Sequence, residues 1–218
     1  MSIDMAKIIE KLQDKRQIFC SEADFQLEMA WVIKEMYPNA KVRLEYVPKF
    51  NDKMHIDILV FISNKWIPIE LKYKTKNSKK EEIMIDKKTQ EGFNLKNQGA
   101  KDISCYLYLK DIMRIESIKE QGEINFKEGY AVFLTNDKIY LKSPQKNDCV
   151  YKEFSLENGI TKHGELKWAE HTGAGTKKGI EEPIKLKGIY KMEWKEFSNV
   201  DKERKSDGTF YYLVTKII

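Results

Sequence analysis

The chain is poor in cysteine, and the three it has, Cys20, Cys105 and Cys149, are far apart and form no CxxC pair. An odd, scattered set of thiols argues against a disulfide framework or a structural zinc site and points to reduced cysteines inside a cell. Histidine is equally sparse: His55, His163 and His171 make neither HExxH nor a His/Cys cluster, so a zinc hydrolase is unsupported. There is no GxSxG, and no cysteine has a context that marks a nucleophile. The stretch GAGTKKG at 173–179 carries Lys178 where the second glycine of a phosphate loop belongs, and reads as a flexible turn. No apolar run approaches the length that spans a bilayer, and the start, MSIDMAKIIEKLQDKRQ, lacks an apolar signal core. The expectation is a soluble, cytoplasmic protein with no membrane partner.

What the chain does have is charge. Lys and Arg outnumber Asp and Glu by 39 to 34 over 218 residues, and the excess is local. Between Lys72 and Lys88 there are lysines at 72, 74, 76, 79, 80, 87 and 88 against Glu81, Glu82 and Asp86. Such a run suggests an anionic substrate, with phosphate the obvious case, although a solvated loop has the same composition.

The length suits one domain, with or without an appendage. Ile3, Ile8, Ile9, Leu12 and Phe19 mark an amphipathic helix over 3–19. Ser21 caps a second helix that runs to Met36 or Tyr37, where Pro38-Asn39 stops it. At 100° per residue its apolar stripe is Phe25, Met29, Val32, Ile33 and Met36. Glu22 and Gln26 fall inside that stripe, so Glu22 is the acid expected to face a sheet; stabilising the helix N-terminus is its other reading. Val42, Leu44 and Tyr46 alternate as a half-buried strand. After the lysine-rich loop, Asn97 is placed to cap a helix from Gln98 to Ile118, with Cys105, Tyr106, Leu109, Ile112 and Met113 on its apolar face. Gln98 and Asp102 stand on the same face. Tyr130–Leu134 and Lys138–Leu141 read as a hairpin around Asn136-Asp137. The polar segment Ser143–Asp148 is a plausible joint, dividing the chain at 142 into a core and a β-rich C-terminal region, separate or integral. That region interleaves lysines with aromatics such as Trp168, Tyr190, Trp194 and Phe210, as a base-stacking surface or as core.

The segment HIDILVFISNKWIPIELKYK carries the chemistry. Two β-type runs, His55–Ile62 and Lys65–Tyr73, flank Ser63-Asn64, which reads as a tight turn. Counting outward from Ile62 opposite Lys65 sets Asp57 across from Glu70. Alternation then puts Lys72 on their face and Ile69, Leu71 and Tyr73 on the other. A loop on Asn64-Lys65 pairs Asp57 with Lys72 instead and still keeps all three together, whereas a three-residue loop would not. Facing carboxylates repel unless a cation lies between them. Lys72 is one candidate and a hard divalent ion the other, since oxygen donors suit Mg²⁺, Mn²⁺ or Ca²⁺ rather than zinc. Ordinary surface charge is the bland alternative. It fits less well because the flanks, including Ile58, Leu59, Val60, Ile67 and Leu71, are apolar on both faces.

These residues give the chain a resemblance to the PD-(D/E)XK, or restriction-endonuclease-like, nuclease superfamily. The match is Asp57, then Glu70-Leu71-Lys72 after twelve intervening residues, preceded by the helix carrying Glu22, and it covers residues 20 to 140. His55-Ile56 stands in place of the proline of the family name, and Gln98, Asp102 and Tyr106 loosely match the glutamine-tyrosine helix of RecB-type members. The resemblance implies an α/β fold with a mixed sheet flanked by helices, followed here by a β-rich C-terminal extension. It implies that Asp57, Glu70 and the Leu71 carbonyl hold Mg²⁺, replaceable by Mn²⁺, with Glu22 completing the site. Lys72 would orient or help deprotonate the attacking water. Lys74, Lys76, Lys79, Lys80, Gln98 and Asp102 would then meet a nucleic acid, expected to be DNA, and a homodimer is allowed. The expected activity is metal-dependent phosphodiester hydrolysis. The alternative is a catalytically silent module of the same fold that binds nucleic acid or a protein. A carboxylate-pair glycosidase would use the acids but has no need of Lys72.

Overall fold

The computed structural model describes residues 2–79, 82–122, 125–146, 148–204 and 207–218. Two helices, α1 (Met5–Lys15) and α2 (Glu22–Met36), lead into strands β1 (Lys41–Tyr46), β2 (Ile56–Ile62) and β3 (Lys65–Lys74). A small hairpin, β4 (Met84–Ile85) and β5 (Gly92–Phe93), precedes the long helix α3 (Lys101–Gln121) and strand β6 (Gly129–Thr135). After 3-10 turns at Lys138–Leu141 and Lys152–Phe154 come β7 (Thr161–Leu166), the single turn α4 (Ala174–Lys177), β8 (Ile184–Lys191), β9 (Trp194–Asn199) and β10 (Thr209–Ile217).

Six strands form a mixed sheet in the order β1-β2-β3-β6-β10-β9, with β3 and β6 parallel and the other neighbours antiparallel. The parallel step is made by α3, which crosses from the end of β3 to the start of β6, as a parallel pair requires. Every residue of β6 is buried, as befits a strand covered on both faces. Alternation divides its side chains. Tyr130, Val132 and Leu134 join Ile58, Val60, Ile69 and Leu71 in a core under α1 and α2. Ala131 and Phe133 join Leu213 in a second core with Tyr108, Leu109 and Ile112 of α3 and with the β7–β8 hairpin. The C-terminal strands β9 and β10 belong to the same sheet as β2 and β3, so the chain after residue 142 completes the central layer.

Three expected elements differ. The first helix ends at Lys15 rather than 19, because Arg16 turns extended and its guanidinium grips Asp24 at 2.8 and 3.0 Å. Helix α3 starts at Lys101, not Gln98. Gln98 is held beside β3, its N–H donating to the Thr75 carbonyl at 2.9 Å, and Ala100 is left-handed at φ 56°. The hairpin around Asn136-Asp137 does not form. Both edges of β6 are already filled, by β3 and by β10, and Lys138–Leu141 is instead a 3-10 turn capped by the Asp137 carboxylate.

Candidate metal and phosphodiester site

Ser63 and Asn64 are both left-handed, at φ 49° and 59°, and they set Ile62 against Lys65 and Ile58 against Ile69. This is the two-residue turn whose twist suits a hairpin. The expected pair, Asp57 with Glu70, is the next position beyond Ile58 and Ile69, where the two strands part. The β2–β3 ladder ends at Ile58 and Ile69, but β3 continues beside β6 to Lys74, opposite Thr135. One edge of β3 is therefore open from Glu70 onward, and a buried strand edge must find partners for its amides. It finds side chains. The N–H groups of Leu71, Tyr73 and Thr75 donate to Asp57 Oδ2 at 2.6 Å, Glu22 Oε2 at 2.7 Å and Gln98 Oε1 at 2.8 Å. Asp57 from within the apolar segment, with Glu22 and Gln98 from outside it, closes the fork between two diverging strands.

Helix α2 spans that fork. Ser21 caps it by accepting the Asp24 N–H at 3.1 Å, which turns Glu22 and Gln26, four residues apart, toward the sheet. Glu22 holds β3, while Gln26 Nε2 donates to the Asp57 carbonyl and to Glu45 Oε1, both at 2.7 Å. Glu45 interrupts β1 in a left-handed conformation, φ 50°, which a glutamate adopts only at a cost on the order of 1 kcal/mol. The strained residue and the glutamine together fix the backbone from which Asp57 projects.

Helix α3 closes the other side. Glu70 and Lys72 lie on its face of the sheet, opposite Ala131 and Phe133 of β6 in register. Lys72 Nζ meets Asp111 Oδ2 at 2.8 Å and donates to the Leu71 carbonyl at 3.0 Å. Arg114 meets Asp111 Oδ1 at 3.1 Å and Glu70 Oε1 at 3.2 Å, and also donates to the His55 carbonyl. Glu70 is 1% exposed and Asp111 3%. Both keep a buried oxygen, Glu70 Oε1 and Asp111 Oδ2, with a cation beside it but no aligned hydrogen bond.

The electrostatics follow from burial. Desolvation pushes the Asp57 carboxyl up to about 6, against the pull of the Leu71 amide and of Lys72. Glu70 is driven well above the carboxylate range by burial and then by Asp111, which Arg114 only partly offsets. Burial alone would lower Lys72. The carboxylates of Asp111 and Glu22 outweigh it and hold the ammonium charged, above the ordinary lysine range.

Among the described residues no group of three or more His, Cys, Asp or Glu side chains is gathered as a metal site in itself. Lys72 sits on the Leu71 carbonyl and Arg114 on Glu70. The donor set nevertheless fits a hard divalent ion. Asp57, Glu70 and the Leu71 carbonyl offer oxygen only, and Glu70 Oε1 is a buried oxygen lacking a hydrogen bond.

Asp57 and Lys72 open into a cleft of about 500 Å³ walled by Asn51, Lys53, Met54 and His55 on one side and by Leu107, Lys110, Asp111 and Arg114 on the other. The expected nucleic-acid contacts lie elsewhere. Lys74 is half-buried at the end of β3. Lys76 is 3.9 Å from Asp137 and lines, with Asp102, a different cleft of about 980 Å³; Lys79 is paired with Glu82 at 3.3 Å. Lys80 falls outside the described residues. Tyr106 is buried against Trp168, its hydroxyl donating to the Glu182 carbonyl. Asp111 and Arg114 were not foreseen from the sequence. Asp111 stands in the buried stripe of α3 with Tyr108, Ile112 and Ile115, the same polar-in-core signal that singles out Glu22.

Compared with known proteins, the chain matches no family model, no curated protein and no solved structure. Among the described residues, no helix is long and apolar enough to cross a membrane.

Proposed function

We propose that the chain is a Mg²⁺-dependent nuclease of restriction-endonuclease-like fold, cytoplasmic, acting on DNA. The observation that carries the reading is the hairpin register, which brings Asp57 and Glu70 to the end of the β2–β3 ladder at an open strand edge, with Lys72 on the face of Glu70. Asp57, Glu70 and the Leu71 carbonyl would hold the ion, with Glu22 beside them. When bound, it would neutralise charge developing on phosphorus and acidify water, which Mn²⁺ does as well. Lys72 supplies a fixed positive charge next to the reacting phosphate. Asp111 holds that ammonium at 2.8 Å and Gln26 fixes the backbone of Asp57 at 2.7 Å. An exposed free thiol at Cys20 suits a reducing compartment.

The test is cleavage of labelled DNA in Mg²⁺ by the wild type and by Asp57→Ala, Glu70→Ala and Lys72→Ala. Each variant should stay folded by circular dichroism and lose at least a hundredfold in rate. Full activity in all three would end the proposal.

A second reading, a catalytically silent module of the same fold that binds nucleic acid or a protein, draws on the occupation of the site by its own cations, Lys72 on Leu71 and Arg114 on Glu70. Calorimetry with Mg²⁺ or Mn²⁺ separates the two, since the silent module would bind neither ion at millimolar concentration.

A further inference from the structure

We propose that Lys53, Lys110 and Arg114 form a phosphate-gripping rim around the Asp57 cleft and seat the backbone of one nucleic-acid strand over it. The proposal rests on the nuclease reading and names where its substrate binds, in a place other than the lysine-rich run after β3.

Asp57 and Asp111 line the cleft, and Glu70 is buried behind Arg114 at 3.2 Å, so a phosphodiester seated there lies against carboxylates. A single bound ion can answer for the phosphate under attack, but the flanking phosphates need cations of their own. Four cationic side chains line the cleft: Lys53, Lys72, Lys110 and Arg114. Lys72 is engaged below with Asp111 and Leu71; of the other three, Arg114 is shared with Glu70 and Asp111, and Lys53 and Lys110 are not drawn off by a carboxylate among the described residues.

Their placement is set by the fold. Lys110 and Arg114 are four residues apart and so share one face of α3, one turn from each other. Lys53 comes from the opposite wall, in the segment that enters β2 at Ile56. Among the described residues neither Lys53 nor Lys110 has a carboxylate within ion-pair distance, unlike Lys76 and Lys79, which are taken by Asp137 and Glu82. Arg114 is 23% exposed at its side chain and already presents its planar fork to two carboxylates, the geometry that also grips a phosphate. A volume of about 500 Å³ is that of a small-ligand site and takes backbone with its sugars, not a whole duplex.

The experiment is fluorescence anisotropy of labelled DNA, single-stranded and duplex, with the full chain in EDTA and in Ca²⁺ across a salt series. Reversing both rim lysines, Lys53→Glu with Lys110→Glu, should weaken binding at least tenfold and lower the salt slope by about 2. A control, Lys79→Glu with Lys88→Glu, should stay within twofold of the wild type. Arg114→Lys, which keeps a charge beside Glu70, should fold and still weaken binding through loss of the bidentate contact. Unchanged affinity in the double rim variant overturns the proposal, as does wild-type protein that binds neither DNA probe. The nuclease reading is tested apart from this. Binding that depends on the rim without Mg²⁺-driven cleavage would keep the rim and remove the hydrolysis. Cleavage that survives in the double rim variant would do the reverse.

Discussion

Lys72 Nζ and Asp111 Oδ2 meet at 2.8 Å between the sheet and α3, with side chains only 14% and 4% exposed. Charges so far from water are tolerated only in company, and Asp111 is the company for two of them, since Arg114 also rests on it at 3.1 Å. Asp111→Ala should therefore destabilise the protein by about 3 kcal/mol or more, read from urea unfolding, because it strands an ammonium in the interior. Adding Lys72→Met should recover part of the loss. A double-mutant cycle showing less than about 0.5 kcal/mol of coupling would mean the pair does not act as one.

Asp57 makes the opposite prediction. Its folded value of about 6 lies above the ordinary 3.8, so the folded protein keeps a proton that the unfolded chain releases. Stability from this group is greatest below the ordinary value, falls as pH rises through the window between the two, and levels off above it. The full loss is about 3 kcal/mol. Asp57→Asn cannot ionise and can still accept the Leu71 N–H. In EDTA it should melt higher than the wild type at pH 7.5, with the gap closing toward pH 4. A gap that does not change with pH would show that Asp57 is not strained by its charge.

One short count makes the hairpin legible, although not the fork that opens beyond Ile58 and Ile69. Ser63-Asn64 fixes the register, alternation fixes the faces, and the apolar flanks declare that the charges are inside. Glu22 and Gln26 were legible for a similar reason, as polar residues in an apolar helical stripe. What could not be read was long-range. That β6 takes β10 as its partner depends on residues some eighty positions later, while Asn136-Asp137 locally has the composition of a turn. The start of α3 was misplaced because Asn97 looks like a cap, whereas Gln98 is held by Thr75 from another element. Arg114 carries no signal of its own in the sequence. Its place in the site exists only once α3 lies across Glu70.

The turn itself can be tested. Ser63 is held at φ 49°, where glycine loses nothing and a serine is strained by about 1 kcal/mol. Ser63→Gly should raise the melting temperature by a few degrees, partly offset by the added freedom of the unfolded chain, and leave ion binding as it was. Ser63→Val should lower both stability and ion affinity, since a branched residue resists this conformation and loosens the register. Equal melting temperatures for serine and valine would show that the turn does not set it.

Ion binding should be sensitive to acid. A carboxylate must lose its proton to coordinate, and here burial holds Asp57 near 6 and Glu70 well above its ordinary range. Affinity for Mg²⁺ or Mn²⁺, measured by calorimetry, should fall about tenfold for each pH step of one below 6, and more steeply if both acids take up protons. A flat affinity from pH 5 to 8 would remove Asp57 and Glu70 as ligands.

Gly208 offers a way to separate the lysine-rich loop from the site. A Cβ there would lie 1.9 Å from the Asp201 carbonyl oxygen and 2.9 Å from that of Arg204, both backbone and unable to yield cheaply. Arg204, 1% exposed at its side chain, pairs with Asp201 and Asp207 at 3.3 Å and with Glu82 at 3.1 Å. Asp207 in turn accepts the Ser78 N–H at 2.5 Å, and Asn136 Nδ2 donates to both the Lys76 and Asp207 carbonyls at 2.8 Å. Gly208→Ala should cost about 1–3 kcal/mol and speed hydrogen exchange at Ser78, because the lysine-rich loop loses its anchor. Ion affinity should stay unchanged, since neither Asp57 nor Glu70 depends on that loop for a hydrogen bond. Slow exchange at Ser78 in the variant would refute the anchoring. Faster exchange with undiminished DNA affinity would show that a strand is held at the cleft and not by the lysines that follow β3.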